Sequence, residues 1–446
     1  MRKLIFIILT LILFANTPAF SFRQQDPLDL NEKTGYINTD FIAGFDDPHL
    51  MYYIREGIKN NHDVRKVSWQ VEEYRQNVRL SLGKELPAVS IGADYTGIHF
   101  PKIGGLDLSN NGFVMPLIAS YEPDFLLKNR DKTKSAKKYY ESSKFEEKAV
   151  YISLASDIGS LYINILQYDA LINSQEEIVK IKEEQLKRER KKFDYGVVDN
   201  AGLNSAKKDF ETAKNNLDNL CKSRETAINN FRVLTGVTED DITRSNFADF
   251  DYNKQIPSAV SSDVIFSRPD VLASEANLEK AKIDVRIARK DFLPSFNITG
   301  VMTFNTLLPG NFFNWDSTLA LILAGATQDI FRGGQKVANL KINKARYEQM
   351  FESYKQTDLT ALQEVNDALC IIKFDTQTDN NTIEKLKLQK KDFEDYSKKY
   401  KQGVVSYPDF LGSKEQLLNM NQSQVQTKTV RLVNYFTLYK ALGGQL

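Results

Sequence analysis

The octapeptide KKFDYGVV, Lys191 to Val198, returns as KKYKQGVV, Lys398 to Val405, 207 residues later. The same step carries Asp63-Val64 onto Asp270-Val271, Glu72 onto Glu279, Val78-Arg79 onto Val285-Arg286, and Leu86-Pro87 onto Leu293-Pro294. Landmarks that keep one register across half a chain indicate duplication of a unit of roughly two hundred residues. The period is far too long for a solenoid. The chain is therefore expected to hold two large, similar halves.

Each half has the same order of elements. In the first, Tyr53, Ile54, Ile58, Val64, Val67, Val71, Tyr74 and Val78 recur mostly at steps of three and four, which predicts one helix from Leu50. It must end before Leu86-Pro87, because proline cannot continue a helix and pushes its predecessor toward extended geometry. The period then switches to two, with Val89, Ile91, Ala93 and Tyr95 on one face. PKIGGLDLSNN reads as a loop, and a second strand is expected from Gly112 to Tyr121. From Leu126 to about Tyr195 the only glycine is Gly159. Leu154, Ile158, Leu161, Ile165, Tyr168 and Ile172 there step alternately by four and three, a coiled-coil seam. A helix of that length measures on the order of 100 Å. After Gly196 the helical pattern resumes, with Leu203, Phe210 and Leu217 seven apart, and closes at Leu234-Thr-Gly236.

The second half repeats the plan. A helix is expected from about Pro269 to Phe292, a strand beginning at Ser295, and a returning strand from Thr318 to Ile330. TLLPGNFFN joins the strands, a long helix spans about Gln335 to Gln402, and a last helix ends near Leu442-Gly-Gly. The resulting division is 22–236 for the first repeat, 237–267 for a Pro-containing linker or equatorial segment, and 268–446 for the second repeat. Phe22 to Pro48 reads as an irregular strap.

Residues 1–21 carry the pattern of a secretory leader. Arg2 and Lys3 precede an apolar run from Leu4 to Ala15, and Ala19-Phe20-Ser21 is a small-x-small cleavage site. A retained anchor would need about 20 apolar residues. No cysteine stands near the cleavage site, so an unlipidated exported protein is expected. No other stretch approaches 18 consecutive apolar residues, which leaves strands as the route into a membrane. A formal net charge of +1 and the absence of a basic-aromatic patch argue against a nucleic-acid partner.

Four strands of about ten residues, each with one apolar face, have the size of transmembrane β-strands. Four cannot close a barrel, and an open edge in lipid leaves its N–H and C=O groups unpartnered. Three chains would supply twelve strands. The alternative is a pair of soluble hairpins capping a coiled-coil shaft, which would make a periplasmic structural protein.

Duplicated helix, proline, hairpin, very long helix, Gly-Val-Val turn and return helix together resemble the TolC family of outer-membrane efflux proteins. FDDPHLMYYIREGIKNNHDVRK, Phe45 to Lys66, and SRPDV, Ser267 to Val271, are similar to its RND-pump (OprM-like) branch. The resemblance implies a mainly α chain with a long coiled-coil tunnel and four β-strands, completing a twelve-stranded barrel as a homotrimer in outer-membrane lipid. It implies a periplasmic adaptor and an inner-membrane pump as partners, no cofactor and no enzymatic activity. The nearest rival is the duct of a type I protein-secretion system. One departure is the absence of the lipidated cysteine usual in that branch.

Chemistry-bearing residues are sparse. His49, His62 and His99 are scattered, and no His/Cys/Asp spacing matches a metal site. Cys221 lies 23 residues past the first turn and Cys370 lies 35 before the second, a height difference of roughly 18 Å. A disulfide needs Cα atoms within about 7 Å, so two unpaired, buried thiols are expected. Gly196-Val197-Val198 and Gly403-Val404-Val405 either pack within the hairpin tips or offer an apolar docking surface, and the resemblance implies that they meet the adaptor. Relatives of this layout carry a gate aspartate about nine residues after that glycine. Here that position is Gly412 and the nearest carboxylate is Asp409, while Asp199 stands three residues after Gly196. Asp199 and Asp409, with Phe410 and Leu411, are the periplasmic gate candidates. The alternative for Asp409 is helix capping, since Ser406 to Asp409 with Pro408 reads as a helix start.

Overall fold

A computed structural model describes residues 35–98, 110–238, 242–257, 260–306, 315 and 318–445. The leader, most of both hairpin loops and His99 lie outside the described residues. The elements in chain order are α1 (Thr39–Ala43), α2 (Pro48–Asn60), α3 (His62–Gly83), β1 (Ala88–Ile91), β2 (Asp94–Ile98), β3 (Asn110–Tyr121), α4 (Lys128–Asp194) and α5 (Asn200–Thr235). They continue as α6 (Ser262–Phe266), α7 (Pro269–Lys290), β4 (Ser295–Thr306), β5 (Thr318–Thr327), α8 (Gln335–Lys401) and α9 (Tyr407–Ala441). The duplication is kept to the residue. Adding 207 carries both ends of α3 onto α7 and both ends of α4 onto α8.

Several expectations need correction. The strap is not irregular over its described part. Asn38 caps α1 by accepting from the amides of Asp40 and Phe41, and Asp47 caps α2 through His49 and Leu50. The single helix expected from Leu50 is two, because Asn61 leaves helical geometry (ψ 125°) and its Oδ1 accepts from Asp63 and Val64, starting α3 afresh. The returning strand stops at Thr327 rather than Ile330, where the Gln328 side chain turns to donate to the Phe292 carbonyl.

The sheet is antiparallel in the order β1-β3-β4-β5, with β2 also on β3. Its central pairing, β3 to β4, joins the two halves from Phe113↔Thr306 to Tyr121↔Ile298. The first strand, expected to be continuous, is split into β1 and β2 opposite Pro116. Pro116 accepts from the Gly92 amide at 2.9 Å but has no N–H to return, so the ladder is interrupted there. The equivalent pair in the second half, Thr299↔Leu323, lacks the proline, and β4 runs unbroken.

Two compact units divide the chain, and each draws on both halves. One comprises residues 70–143 and 274–354 of the described chain and contains the whole sheet. The other comprises 35–69, 144–273 and 355–445. The second has an aromatic core in which Phe41 stacks on Tyr439 at 4.6 Å and Phe45 on Phe436 at 5.0 Å. Ile242, Phe247 and Phe250 of the inter-repeat segment are buried in it as well. In α4 the seam residues Leu154, Ile158, Ile165 and Ile172 are buried, while Leu161 and Tyr168 are half-buried. Among the described residues α4 is long and apolar enough to cross a membrane by length and mean composition alone, although no run of 18 consecutive apolar residues occurs in it. Its apolar window is 61% buried within the protein, because Tyr151, Ile158, Tyr162 and Leu166 supply the core.

Candidate functional site

Two places in the fold bear on function: the turns at the hairpin tips and the sheet. Each tip ends its long helix in the same way. Gly196 and Gly403 take φ of +70° and +74°, which only glycine adopts without strain. Val197 N–H donates back to the Lys192 carbonyl at 2.8 Å and Val404 N–H to the Lys399 carbonyl at 2.9 Å, the closing bonds of a Schellman motif. Asp199 then caps α5 by accepting from Gly202, and Ser406 caps α9 by accepting from Asp409.

This geometry sorts the tip residues into pairs. Val197 and Val404 are each 71% exposed, whereas Val198 and Val405 are half-buried against their own hairpins. Tyr195 beside the first turn is exposed too. Lys191 and Lys192 at one tip, and Lys398, Lys399 and Lys401 at the other, occupy the last helical turns, where cations complement the helix dipole.

The four gate candidates fall in different environments. Asp199 and Asp409 are exposed and engaged in capping, and Asp409 also accepts from the Ser406 hydroxyl at 2.5 Å. Phe410 stacks on Tyr400 at 4.9 Å and on Phe393 at 5.7 Å. Leu411 is buried within its own chain.

Sequence reasoning missed the ties between α4 and α9 behind these tips. Lys182 pairs with Glu415 at 2.7 Å, Lys414 with Glu177 at 3.0 Å, and the Arg188 guanidinium lies 3.9 Å from the Tyr407 ring centroid. The partners are over two hundred residues apart, and no local pattern marks them. Further along α9, Arg431 bridges the buried Asp379 and the half-exposed Asp251, both at 2.9 Å. Burial holds the Lys428 ammonium below the usual lysine range, and it donates to the carbonyls of Phe247 and Ala248.

Both cysteines are free. Cys221 is half-buried, but Cys370 is exposed rather than buried, because the buried face of α8 runs through Ala361, Val365, Ala368 and Ile372 and Cys370, two residues past Ala368, rotates off it.

The sheet exposes apolar side chains on both of its faces. Val89, Ile91, Leu319, Leu321, Ile322 and Leu323 are all exposed, and among the described residues β5 and the β1/β2 strand each pair on one side only. Such an edge invites another strand.

The family model described as Outer membrane efflux protein matches residues 53–237 and again residues 260–444. The chain belongs to the outer membrane efflux protein family. The two matches start 207 residues apart, the offset of the internal repeat. Among curated members, the probable efflux pump outer membrane protein TtgC of Pseudomonas putida is 26% identical over 415 residues, 90% of this chain and 84% of its own. The cation efflux system protein CusC of Escherichia coli K12 is 25% identical over 438 residues, 96% of this chain and 94% of its own. The CmeC outer membrane channel of Campylobacter jejuni shares the fold with a TM-score of 0.84 at 24% identity, covering 92% of this chain and 88% of that one. As an efflux protein of the outer membrane, the chain is a channel component.

Proposed function

We propose that this chain is the outer-membrane exit duct of a tripartite efflux pump, a passive conduit with no enzymatic step of its own. The observation that carries the reading is one sheet with two open edges among the described residues and apolar side chains exposed along it. In lipid those edges require strands from other copies, and three chains of four strands make a closed, even-numbered barrel. The exposed Val197 and Val404, framed by Tyr195 and the terminal lysines, are the surface for a periplasmic adaptor that connects the duct to an inner-membrane pump. Relatives at similar identity are named for antibiotic, toluene and cation efflux, so cargo choice rests with the pump rather than the duct.

The test is purification and function together. The full chain in detergent should run as a trimer and give discrete conductance steps in planar bilayers. The pair Val197→Asp and Val404→Asp should abolish export in cells while leaving trimer and conductance intact. A monodisperse monomer stable without detergent would sink the duct reading.

A further inference from the structure

The end of the sheet that joins the helices carries an apolar and cationic rim that conduction does not use. β1 and β4 begin there and β3 and β5 end there, since Ala88 pairs with Ser120, Tyr121 with Ile298 and Ser295 with Thr327. Ile330 and Phe331, just past β5, are 96% and 86% exposed, more than any other large hydrophobic side chain among the described residues. On the other crossing, Phe125 is exposed as well and meets Phe296 edge-on at 5.4 Å. Leu127 beside it has φ of +57° where the second repeat has Gly334 at +81°. The first half thus keeps a strained, half-exposed leucine at a position its copy gives to glycine.

The charge at this end runs against helix stability. The first eleven residues of α4 hold Lys128, Arg130, Lys132, Lys134, Lys137 and Lys138 against Asp131 alone. α8 starts with Lys336, Lys341, Lys344 and Arg346 and has no carboxylate before Glu348. Cations at a helix N-terminus oppose the dipole. Here Asp124 offsets them at α4 by accepting from the Lys128 and Arg130 amides, while Asp291, Glu279 and Asp329 pair with Lys128, Lys138 and Lys336. Asp131 is already engaged by Arg286 at 2.8 Å and Lys290 at 2.7 Å. Burial, then the Lys128 charge, hold Lys132 below the ordinary lysine range.

Between the strand ends and the helix starts lies a cleft of 420 Å³, lined among others by Lys128, Leu293, Ser295, Thr327, Arg332 and Lys336. Two carboxylates face its three cations: Asp291 pairs with Lys128 at 2.6 Å, and Asp329 with Arg332 at 3.0 Å and Lys336 at 3.1 Å. One positive charge is left over, on a rim continuous with the lipid-facing strands.

We propose that this rim binds the phosphate headgroups of anionic phospholipid in the leaflet on the helical side of the sheet. Phe125, Ile330 and Phe331 set into the acyl layer, and Lys128, Arg332 and Lys336 take the phosphate. The inference rests on the outer-membrane channel reading.

Full-length protein is reconstituted in phosphatidylethanolamine containing one-fifth phosphatidylglycerol, extracted with its lipid annulus, and the retained lipids are quantified. Wild type should enrich the anionic lipid about threefold or more over bulk at physiological salt. Lys128→Gln, Arg332→Gln and Lys336→Gln combined should return the annulus to bulk composition with conductance unchanged. Arg332→Lys, which keeps the charge, should retain enrichment. A wild-type annulus equal to bulk in a conducting channel would overturn the lipid site and leave the duct standing. Saturable binding of inorganic phosphate to the lipid-free protein, abolished by the triple variant, with no anionic lipid retained by wild type, would make the cleft a free-anion pocket and overturn it too. If Ile330→Ser with Phe331→Ser separates the copies in native mass spectrometry, the patch is a subunit contact and the proposal fails. Failure of wild type to insert or conduct would overturn the duct reading itself.

Discussion

Arg268 donates from Nη1 to the Ala441 carbonyl at 2.7 Å, tying the start of α7 to the last turn of α9. The copy of this tie, 207 residues earlier, is Asn61 donating from Nδ2 to the Leu234 carbonyl at 3.0 Å. Duplication preserved the contact and changed the chemistry. A neutral amide that also caps α3 became a buried guanidinium held by Asp270 and Glu364. The glycines that close these return helices match as well, Gly236 at φ +68° and Gly443 at +61°.

Removing the two ties should cost different amounts. Arg268→Ala leaves the Ala441 carbonyl without its donor while the exposed Asp270 and Glu364 stay hydrated, and a loss of about 1.5–3 kcal/mol is expected. Asn61→Ala loses a cap and one hydrogen bond, about 1–2 kcal/mol. Denaturant melts of detergent-solubilised protein should rank them in that order, and equal midpoints would show that Arg268 adds nothing over its copy.

Gly159 is the one glycine of α4, and a Cβ there would collide with the ring of Phe436, which is fully buried. Gly159→Ala should destabilise by about 1–3 kcal/mol through overpacking. Gly412, with nothing near its virtual Cβ, provides the control. Gly412→Ala should be neutral or slightly stabilising by its gain in helix propensity.

Asp131 supplies a pH signature. Burial pushes its carboxyl up, but hydrogen bonds from Lys290 and Arg286 and their charges outweigh that and leave it below the ordinary carboxylate value. A depressed folded pKa contributes stability that is present above the unfolded value and lost as pH falls through the folded one. The melting-temperature gap between wild type and Asp131→Asn should therefore be full at neutral pH and shrink below about pH 4. A gap constant down to pH 3 would assign the effect to packing.

As a helix cap rather than a gate, Asp409 should matter to stability and not to current. Asp409→Ala removes the acceptor for the Ser406 hydroxyl, and a loss of about 0.5–1 kcal/mol is expected with resting conductance unchanged. A rise in conductance or weaker block by multivalent cations would restore the gate reading.

Much of this architecture could be read directly from the residues. The 207-residue offset, the switch from helical to alternating period at Leu86-Pro87 and Leu293-Pro294, and the Gly-Val-Val stops are local or self-similar signals. Backbone preference and side-chain period act over a few residues, so element order and hairpin turns follow from them. What needed the tertiary structure depends on residues far apart in the chain. Pro116 splits the first strand at Gly92 because the sheet register sets the two opposite each other, and Cys370 is exposed because Ala361, Val365, Ala368 and Ile372 form the buried face of α8. Among the gate candidates, burial encloses Leu411, which no spacing could reveal, whereas the Ser406–Asp409 capping contact is already marked by its spacing. Lys182 and Glu415, or Asn61 and Leu234, are ordinary residues until folding brings each pair within hydrogen-bond reach. Electrostatic and hydrogen-bond energies depend on distance in space, and at these separations along the chain only the packed structure sets that distance.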